Sequence, residues 1–258
     1  MGLTEEFDYF VAGSDQIWSP YSQDVNDTMF LTFAPFNKRI AFAPSIAAEV
    51  IPKEKRELYK KYFEGFEEIS VREYQSAQLV YEIVGKKAKT LIDPTLMLDS
   101  DEWKKIEQKP IFNLPERYLL VYLLGKNEYS SQIEKIGHDN NMEIINILAD
   151  KRYQSIGPSQ FVYMIKKASV VMTDSYHGTI FSILYKIPFV VCTRKGTSVN
   201  MNSRFDTLFE KFMIEHRMIE EINKDNLWTV DFDAIYQKLD KERKKVNSYL
   251  NRYLNVEK

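Results

Sequence analysis

Short apolar runs alternate with amphipathic stretches along most of the chain. The apolar runs predict strands at 7–12, 39–46, 69–71, 89–92, 118–124, 142–148, 169–172 and 188–192. The amphipathic stretches predict helices at 52–66, 75–84, 128–140, 158–168, 178–185, 203–213 and 231–254. Strands that alternate with helices indicate a parallel sheet with helices on both faces. The predicted class is therefore α/β, with doubly wound parallel sheets.

The best candidate for a domain boundary is the segment 103–115. It carries Pro110 and Pro115 on either side of Asn113, and it separates two series of alternating strands and helices. The sequence therefore predicts two doubly wound α/β domains, at 1–107 and 108–258.

Composition narrows the class of protein. The chain has 258 residues, of which 44% are hydrophobic and 28% charged, as in an ordinary folded domain. Lys and Arg number 35 against 37 Asp and Glu, so no global basic field suggests a nucleic-acid partner. One cysteine excludes an internal disulfide and a cysteine-based zinc site, and three histidines argue against a His-rich metal site.

The sequence carries no sign of a targeting or membrane segment. The N-terminal residues are acidic and resemble neither a signal peptide nor a transit peptide. No apolar run approaches the ~20 residues that a membrane helix needs. We therefore predict a cytoplasmic protein.

The strongest candidate site follows the predicted strand 169–172. Ser175, His177, Gly178 and Thr179 lie where that strand passes into a helix. The first N–H groups of a helix attract anions, so Ser175 and Thr179 are candidate donors to a phosphate or carboxylate, Gly178 would allow close approach, and His177 is a candidate general acid. The alternative is that Ser175 or Asp174 is an ordinary helix cap and His177 a partly buried polar residue.

A second group of candidates follows strands in the first half. Ser14 and Asp15 come directly after the strand 7–12, where Asp15 could bind a sugar hydroxyl or orient a base, and Trp18 could offer its face to a sugar ring. Arg72 ends the strand 69–71 and could bind a carboxylate or phosphate with its planar fork. The alternatives are a capped turn with a core tryptophan, and a salt bridge from Arg72 to Glu73 or another acid.

The remaining candidate residues and motifs give weaker indications of function. Lys195, Arg204 and Arg217 are further candidate cations for an anionic substrate. Cys192 lies within an apolar strand, so we expect it in the core rather than as a nucleophile. The sequence contains no GxGxxG dinucleotide motif, no P-loop lysine motif and no GxSxG nucleophile elbow.

An ordered set of segments resembles the polysaccharide pyruvyl transferase family. The segments are GSDQIW, RIAFAPS, ISVREYQSAQLV, LIDPTLML, GPSQFVYMIKKAS, MTDSYHGTIFSILYKIPFVV and NSRFDTL, over about residues 7–217. The resemblance implies two Rossmann-like domains with a cleft between them, as in the GT-B-like architecture of two-domain glycosyltransferases. It also implies transfer of pyruvyl from phosphoenolpyruvate to a sugar of a surface-glycan precursor, which gives a pyruvate ketal.

The resemblance assigns roles only where residues match. His177 matches the histidine proposed for catalysis or phosphate contact, and Arg72 matches an arginine of the donor pocket. Some members carry an arginine at the position of Ser175, so here Lys195, Arg204 or Arg217 would have to supply the missing charge. We expect phosphoenolpyruvate as donor substrate, no metal and no other cofactor.

The resemblance also bears on partners. Family members usually carry a further stretch before the GSDQ-like segment, so we expect an incomplete first domain, which implies a homodimer or a missing N-terminal partner. The expected acceptor is a sugar or a lipid-linked glycan, which would bring the protein near a membrane. Two alternatives stay open: a GT-B-like glycosyltransferase that uses a nucleotide sugar, and an inactive subunit of glycan assembly.

Overall fold

A computed structural model describes residues 2–23, 25–153, 155–196 and 203–254, and in it strands and helices alternate largely as predicted. Asn202, the first residue of the NSRFDTL segment, lies outside the described residues. The strands are β1 (Phe10–Ala12), β2 (Arg39–Ala41), β3 (Ser70–Val71), β4 (Lys89–Thr90), β5 (Tyr118–Tyr122), β6 (Glu143–Asn146), β7 (Val170–Thr173) and β8 (Phe189–Val191). The helices are α1 (Leu3–Glu6), α2 (Arg56–Glu64), α3 (Tyr74–Val84), α4 (Ser100–Lys104), α5 (Ser130–Asp139), α6 (Pro158–Lys167), α7 (Tyr176–Leu184), α8 (Ser203–Phe212) and α9 (Phe232–Leu254).

Every strand pair among the described residues is parallel, which confirms the predicted class. β1 pairs with β2, and β3 pairs with β4. The other four strands form one sheet in the order β6-β5-β7-β8. The chain leaves β5 for β6 on one side and then crosses to β7 on the other. The point between β5 and β7 is therefore the place where a doubly wound sheet leaves a crevice beyond its strand ends.

The described residues pack into two compact units. The first unit comprises residues within 2–97, 203–208 and 238–254, and the second comprises 98–196 and 209–237. The long helix α9 is thus divided, with its C-terminal part in the first unit. Whether the chain folds as domains of 1–107 and 108–258 stays a prediction.

The core of the first unit is built on aromatic rings around Trp18. The Trp18 side chain is 0% exposed, and its ring stacks on Phe30 with centroids 4.9 Å apart. Its indole N–H donates to the Met29 carbonyl at 3.0 Å. The prediction that Trp18 offers a face to a sugar ring is therefore wrong, and Trp18 is a core residue.

Strands β1 and β2 are much shorter than the apolar runs 7–12 and 39–46 that predicted them. β2 ends at Ala41 because the Ser70 hydroxyl replaces the next ladder bond: it donates to the Ala41 carbonyl at 2.6 Å and accepts from Ala43 N at 3.0 Å. β1 ends before Gly13, whose φ of +126° is open to glycine alone. A Cβ there would lie 2.0 Å from the Phe42 carbonyl oxygen, so only glycine allows the two backbones to approach this closely.

In the second unit, strands β5, β7 and β8 are buried along almost their whole length, whereas the edge strand β6 is partly exposed. All residues of β7 and β8 are buried, as are the first four of β5. Burial on both faces explains why these strands appear in the sequence as continuous apolar runs rather than alternating ones.

None of the helices in the described part of the chain is long and apolar enough to cross a bilayer.

Candidate functional site

The N-terminus of α7 follows directly on β7, as the sequence predicts. Ser175 is the N-cap: its backbone is extended, and its hydroxyl oxygen accepts from Gly178 N at 3.3 Å. Ser175 N in turn donates to Thr173 Oγ1 at 3.0 Å. The capping role that the sequence left open is therefore real, and a part for Ser175 in substrate binding stays a prediction.

Gly178 and Thr179 are occupied within the fold. A Cβ on Gly178 would lie 2.8 Å from Thr173 Oγ1 and 3.1 Å from its methyl carbon, so the glycine lets α7 pack on the end of β7. The Thr179 hydroxyl is buried and lies 3.3 Å from the Ser175 carbonyl, within its own helix. Gly178 is thus required by packing, and its part in letting an anion approach stays a prediction, whereas the Thr179 hydroxyl is directed to the backbone rather than to a ligand.

His177 differs from the rest of its helix. α7 has nine residues, all of them described, and every one except His177 is buried. His177 lies in the first turn and is half-buried, with its ring edge-on to Tyr176 at 5.9 Å between centroids. It is therefore the one side chain of α7 that is partly open to solvent, at the end of the sheet where a ligand is expected.

Asp174 joins the loops at the ends of three strands, a role that the sequence analysis missed. Its carboxylate accepts from Leu124 N at 2.7 Å and from Gly125 N at 2.8 Å, both in the loop after β5. Arg194, after β8, places Nε 3.5 Å from the same carboxylate and donates from Nη2 to the Asp174 carbonyl at 3.1 Å. The sequence did carry a signal for this role, because Asp174 is an acidic residue directly before the N-cap Ser175 and at the end of a strand that borders the expected crevice.

The loops after β5 and β8 bring cations to this end of the sheet. Lys126 N donates to the Lys195 carbonyl at 3.0 Å, and a Cβ on Gly125 would lie 2.5 Å from that carbonyl oxygen. Lys126, Arg194 and Lys195 therefore lie on adjoining loops, and Arg194 pairs with the Asp174 carboxylate. Lys195 was predicted as a site cation, whereas Lys126 and Arg194 were not.

Arg217 is not an available cation. Its guanidinium donates to the backbone carbonyls of Phe189, Asn226, Leu227 and Thr229, which engage all five of its N–H groups. Burial lowers the pKa of Arg217 to about 10, still far above neutrality, so the side chain stays charged. The structure thus corrects the expectation of a substrate cation: Arg217 fixes the loop 226–229 to β8.

Arg204 and Cys192 are also buried. Arg204 lies in α8, and its part in binding an anion stays a prediction. Cys192 follows β8 in the core, and burial, reinforced by Asp174 and Glu220, raises the pKa of its thiol. A neutral, enclosed thiol is a poor nucleophile, in agreement with the assignment of Cys192 to the core.

In the first unit, the strand ends form a buried ionic cluster around Arg72. Nη1 of Arg72 donates to Asp93 Oδ2 at 2.7 Å, and Nη2 donates to Asp15 Oδ1 at 3.3 Å. Glu73 Oε2 lies 3.9 Å from Arg72 Nε. The salt bridge that the sequence left open as an alternative is therefore present, and a role for Arg72 in donor binding stays a prediction.

Ser14 and Asp15 belong to the same cluster. The Ser14 hydroxyl donates to the Ala43 carbonyl at 2.7 Å and also lies 3.1 Å from Asp93 Oδ2. Asp15 has a left-handed backbone with φ of 63°, an uncommon conformation for a residue with a side chain. Its carboxylate is exposed to solvent, unlike those of Asp93 and Glu73. Asp15 is therefore the acid of this cluster that a ligand can reach.

The parallel sheets and alternating helices make this an α/β protein with a GT-B-like fold. The family model described as polysaccharide pyruvyl transferase matches residues 4–196. The chain belongs to the polysaccharide pyruvyl transferase family, and it is thereby a transferase of polysaccharide biosynthesis. A search of curated proteins gives no match.

A solved structure with a TM-score above 0.5 supports the fold, and two others are similar at lower scores. A Listeria monocytogenes structure assigned as a UDP-N-acetylglucosamine 2-epimerase is similar over 98% of this chain and 76% of its own, with a TM-score of 0.54 and 12% identity. A UDP-GlcNAc 2-epimerase of Methanocaldococcus jannaschii, solved with UDP-GlcNAc and UDP, gives a TM-score of 0.40 at 12% identity over 75% of this chain and 62% of its own. The glycosyltransferase SnogD of Streptomyces nogalater gives 0.32 at 11% identity over 83% and 66%. At 12% identity the likeness to the Listeria monocytogenes structure concerns the fold alone.

Proposed function

We propose that this chain transfers pyruvyl from phosphoenolpyruvate to two hydroxyls of one sugar, with release of inorganic phosphate. Family membership supports pyruvyl transfer, and the observation that carries the assignment is His177, the half-exposed residue at the start of an otherwise buried helix. A histidine there can both hold a phosphate and supply a proton.

The donor is the ligand proposed for the second unit. Phosphoenolpyruvate carries a carboxylate and a phosphate, and the start of α7 offers helix N–H groups together with the nearby cations Arg194 and Lys195. Lys195 keeps its predicted role as a cation for the anionic donor. Arg194 is proposed to supply the positive charge that an arginine at the position of Ser175 supplies in some family members.

The proposed reaction balances as follows. The methylene carbon of the donor gains a proton, one sugar oxygen bonds to the central carbon, and the bond from that carbon to the phosphate oxygen breaks. A second sugar oxygen then closes the ketal. The two protons lost by the diol equal the one gained by the new methyl group and the one that leaves with phosphate. His177 is the proposed general acid, and Asp15 the proposed base for an acceptor hydroxyl.

The acceptor is a hydroxyl-bearing sugar, either free or linked to a lipid. The proposed chemistry uses acid–base groups and cations of the chain and requires no metal or other cofactor. The proposed compartment is the cytoplasm, with the reaction close to a membrane when the acceptor is lipid-linked.

The proposal is tested by measuring phosphate release from phosphoenolpyruvate in the presence of a panel of methyl glycosides. His177→Ala is expected to lower the rate by about 10²–10⁴-fold while the melting curve is kept, since the side chain contributes little to the core. His138→Ala is the matched control, because the His138 side chain is 91% exposed on α5. A His177→Ala enzyme with the rate of His138→Ala would exclude His177 from the chemistry.

A further inference from the structure

Arg72 is enclosed by acids rather than open to a ligand. Its side chain is 1% exposed, and Asp15, Glu73 and Asp93 surround its guanidinium at 2.7–3.9 Å. One cation thus faces three carboxylates. Among the described residues, no three such side chains are arranged to hold a metal ion, so Arg72 is the counter-ion of this cluster.

We propose that Arg72 is a positioning residue that holds the Asp15 carboxylate toward the acceptor sugar, and that it does not bind the donor. This inference rests on the proposed function. It makes the ionic cluster around Arg72 a binding site for a neutral, hydroxylated ligand. An anion that approached Arg72 would meet an excess of negative charge and a guanidinium already engaged by carboxylates. A sugar hydroxyl carries no charge and can donate directly to Asp15.

The cluster holds Arg72 in one orientation. Asp93 binds Nη1 on one side of the guanidinium. Glu73 faces Nε and is itself fixed, because its Oε1 accepts from the Ser45 hydroxyl at 2.8 Å, from Ala47 N at 3.1 Å and from the Ser76 hydroxyl. Nη2 is thereby directed at Asp15.

Asp15 is the exposed end of this arrangement. Its side chain is 61% exposed while the guanidinium behind it is enclosed. Its backbone carbonyl accepts from Ser45 N at 2.7 Å, which fixes the left-handed turn that presents the carboxylate. The loops after β1 and β2 therefore set the backbone of Asp15, and Arg72 sets its side chain.

The test is a double-mutant cycle on turnover, together with calorimetric titration of phosphoenolpyruvate. Arg72→Lys keeps the charge but loses the planar fork. Arg72→Lys and Asp15→Asn are each expected to lower kcat by about 10–100-fold, and the double variant to fall no further than the lower single one. The dissociation constant for phosphoenolpyruvate should stay within about twofold of wild type in all three variants, whereas His177→Ala weakens it. Arg56→Lys, at an exposed ion pair with Glu82, is the matched control and should change nothing.

Two results would overturn the inference: weaker phosphoenolpyruvate binding in Arg72→Lys but not in Asp15→Asn, or kcat losses that multiply in the double variant. Wild-type protein that neither binds nor turns over phosphoenolpyruvate would instead contradict the proposed function. The positioning role has a readout without substrate, the ¹³C resonance of the Asp15 carboxyl carbon. It should move in Arg72→Lys and stay in Arg56→Lys, and an unmoved resonance in a folded Arg72→Lys protein would overturn the inference independently of activity.

Discussion

At Gly178, the absence of a Cβ allows α7 to pack on the end of β7. The glycine lies over Thr173, whose hydroxyl donates to the Tyr122 carbonyl at 2.6 Å and accepts from Ser175 N. The same threonine therefore fixes the end of β7 and the start of α7, and it leaves no room for a larger residue at position 178. The position of His177, one residue earlier, depends on this contact.

We expect Gly178→Ala to lower the free energy of unfolding by about 1–3 kcal/mol, because the new methyl group would overlap a side chain that is fixed by hydrogen bonds. Gly157→Ala is the matched control, since its Cβ would meet the end of the flexible Gln160 side chain and should cost under about 1 kcal/mol. Urea denaturation measures both variants. Equal stabilities of the two variants would contradict the packing role of Gly178.

Helix α7 follows the N-cap Ser175, whose hydroxyl oxygen accepts a hydrogen bond from Gly178 N. The donor anion is proposed to bind at the same end of the helix. Asp and Asn are both good N-caps and have nearly the same shape, but they differ by one charge. Ser175→Asn and Ser175→Asp should therefore have similar melting temperatures. Ser175→Asp should bind phosphoenolpyruvate at least about tenfold more weakly than Ser175→Asn, because the added carboxylate repels the donor.

Calorimetric titration of both variants provides the measurement, and wild type sets the reference affinity. Equal affinity of the two variants for phosphoenolpyruvate would show that the donor binds away from the start of α7. A large difference in their melting temperatures would mean that the position does not tolerate the longer side chain, and Ser175→Ala would then report the value of the cap alone.

The elements were more predictable than the contacts of their side chains. The apolar run 169–172 and the residues after it gave β7, its turn and α7 within a few positions, because burial on both faces leaves a continuous apolar signal. The partners of Arg72 lie 21 and 57 residues away along the chain. The sequence could therefore offer a salt bridge as an alternative to ligand binding, but it could not decide between the two roles. Arg217 and Trp18 were misjudged for the same reason, since backbone carbonyls and core rings become neighbours only in the fold.

At the scale of the whole molecule, buried tyrosines link stability to pH. Burial raises the pKa of Tyr59, Tyr118 and Tyr249, and it raises the pKa of Tyr129 to about 12. Unfolded tyrosine titrates near 10, so above that pH the unfolded chain binds fewer protons than the folded one. The free energy of unfolding should therefore fall as pH rises above about 10.

Urea denaturation at a series of alkaline pH values measures this fall. Tyr118→Phe should make it shallower, although the loss of the bond from Tyr118 to the Met164 carbonyl costs about 1 kcal/mol at neutral pH. Tyr81→Phe, at an exposed position on α3, should leave the fall unchanged. A stability that stays constant up to pH ~11 would contradict the linkage.

The proposed function depends on the binding of phosphoenolpyruvate at the start of α7 in this member of the pyruvyl transferase family. The most direct measurement is a calorimetric titration of the full chain with phosphoenolpyruvate and with uridine diphosphate, at matched ionic strength. The proposed function predicts that phosphoenolpyruvate binds more tightly than uridine diphosphate and that His177→Ala weakens its binding while His138→Ala does not. Tighter binding of uridine diphosphate, or no binding of phosphoenolpyruvate to the wild-type chain, would contradict it.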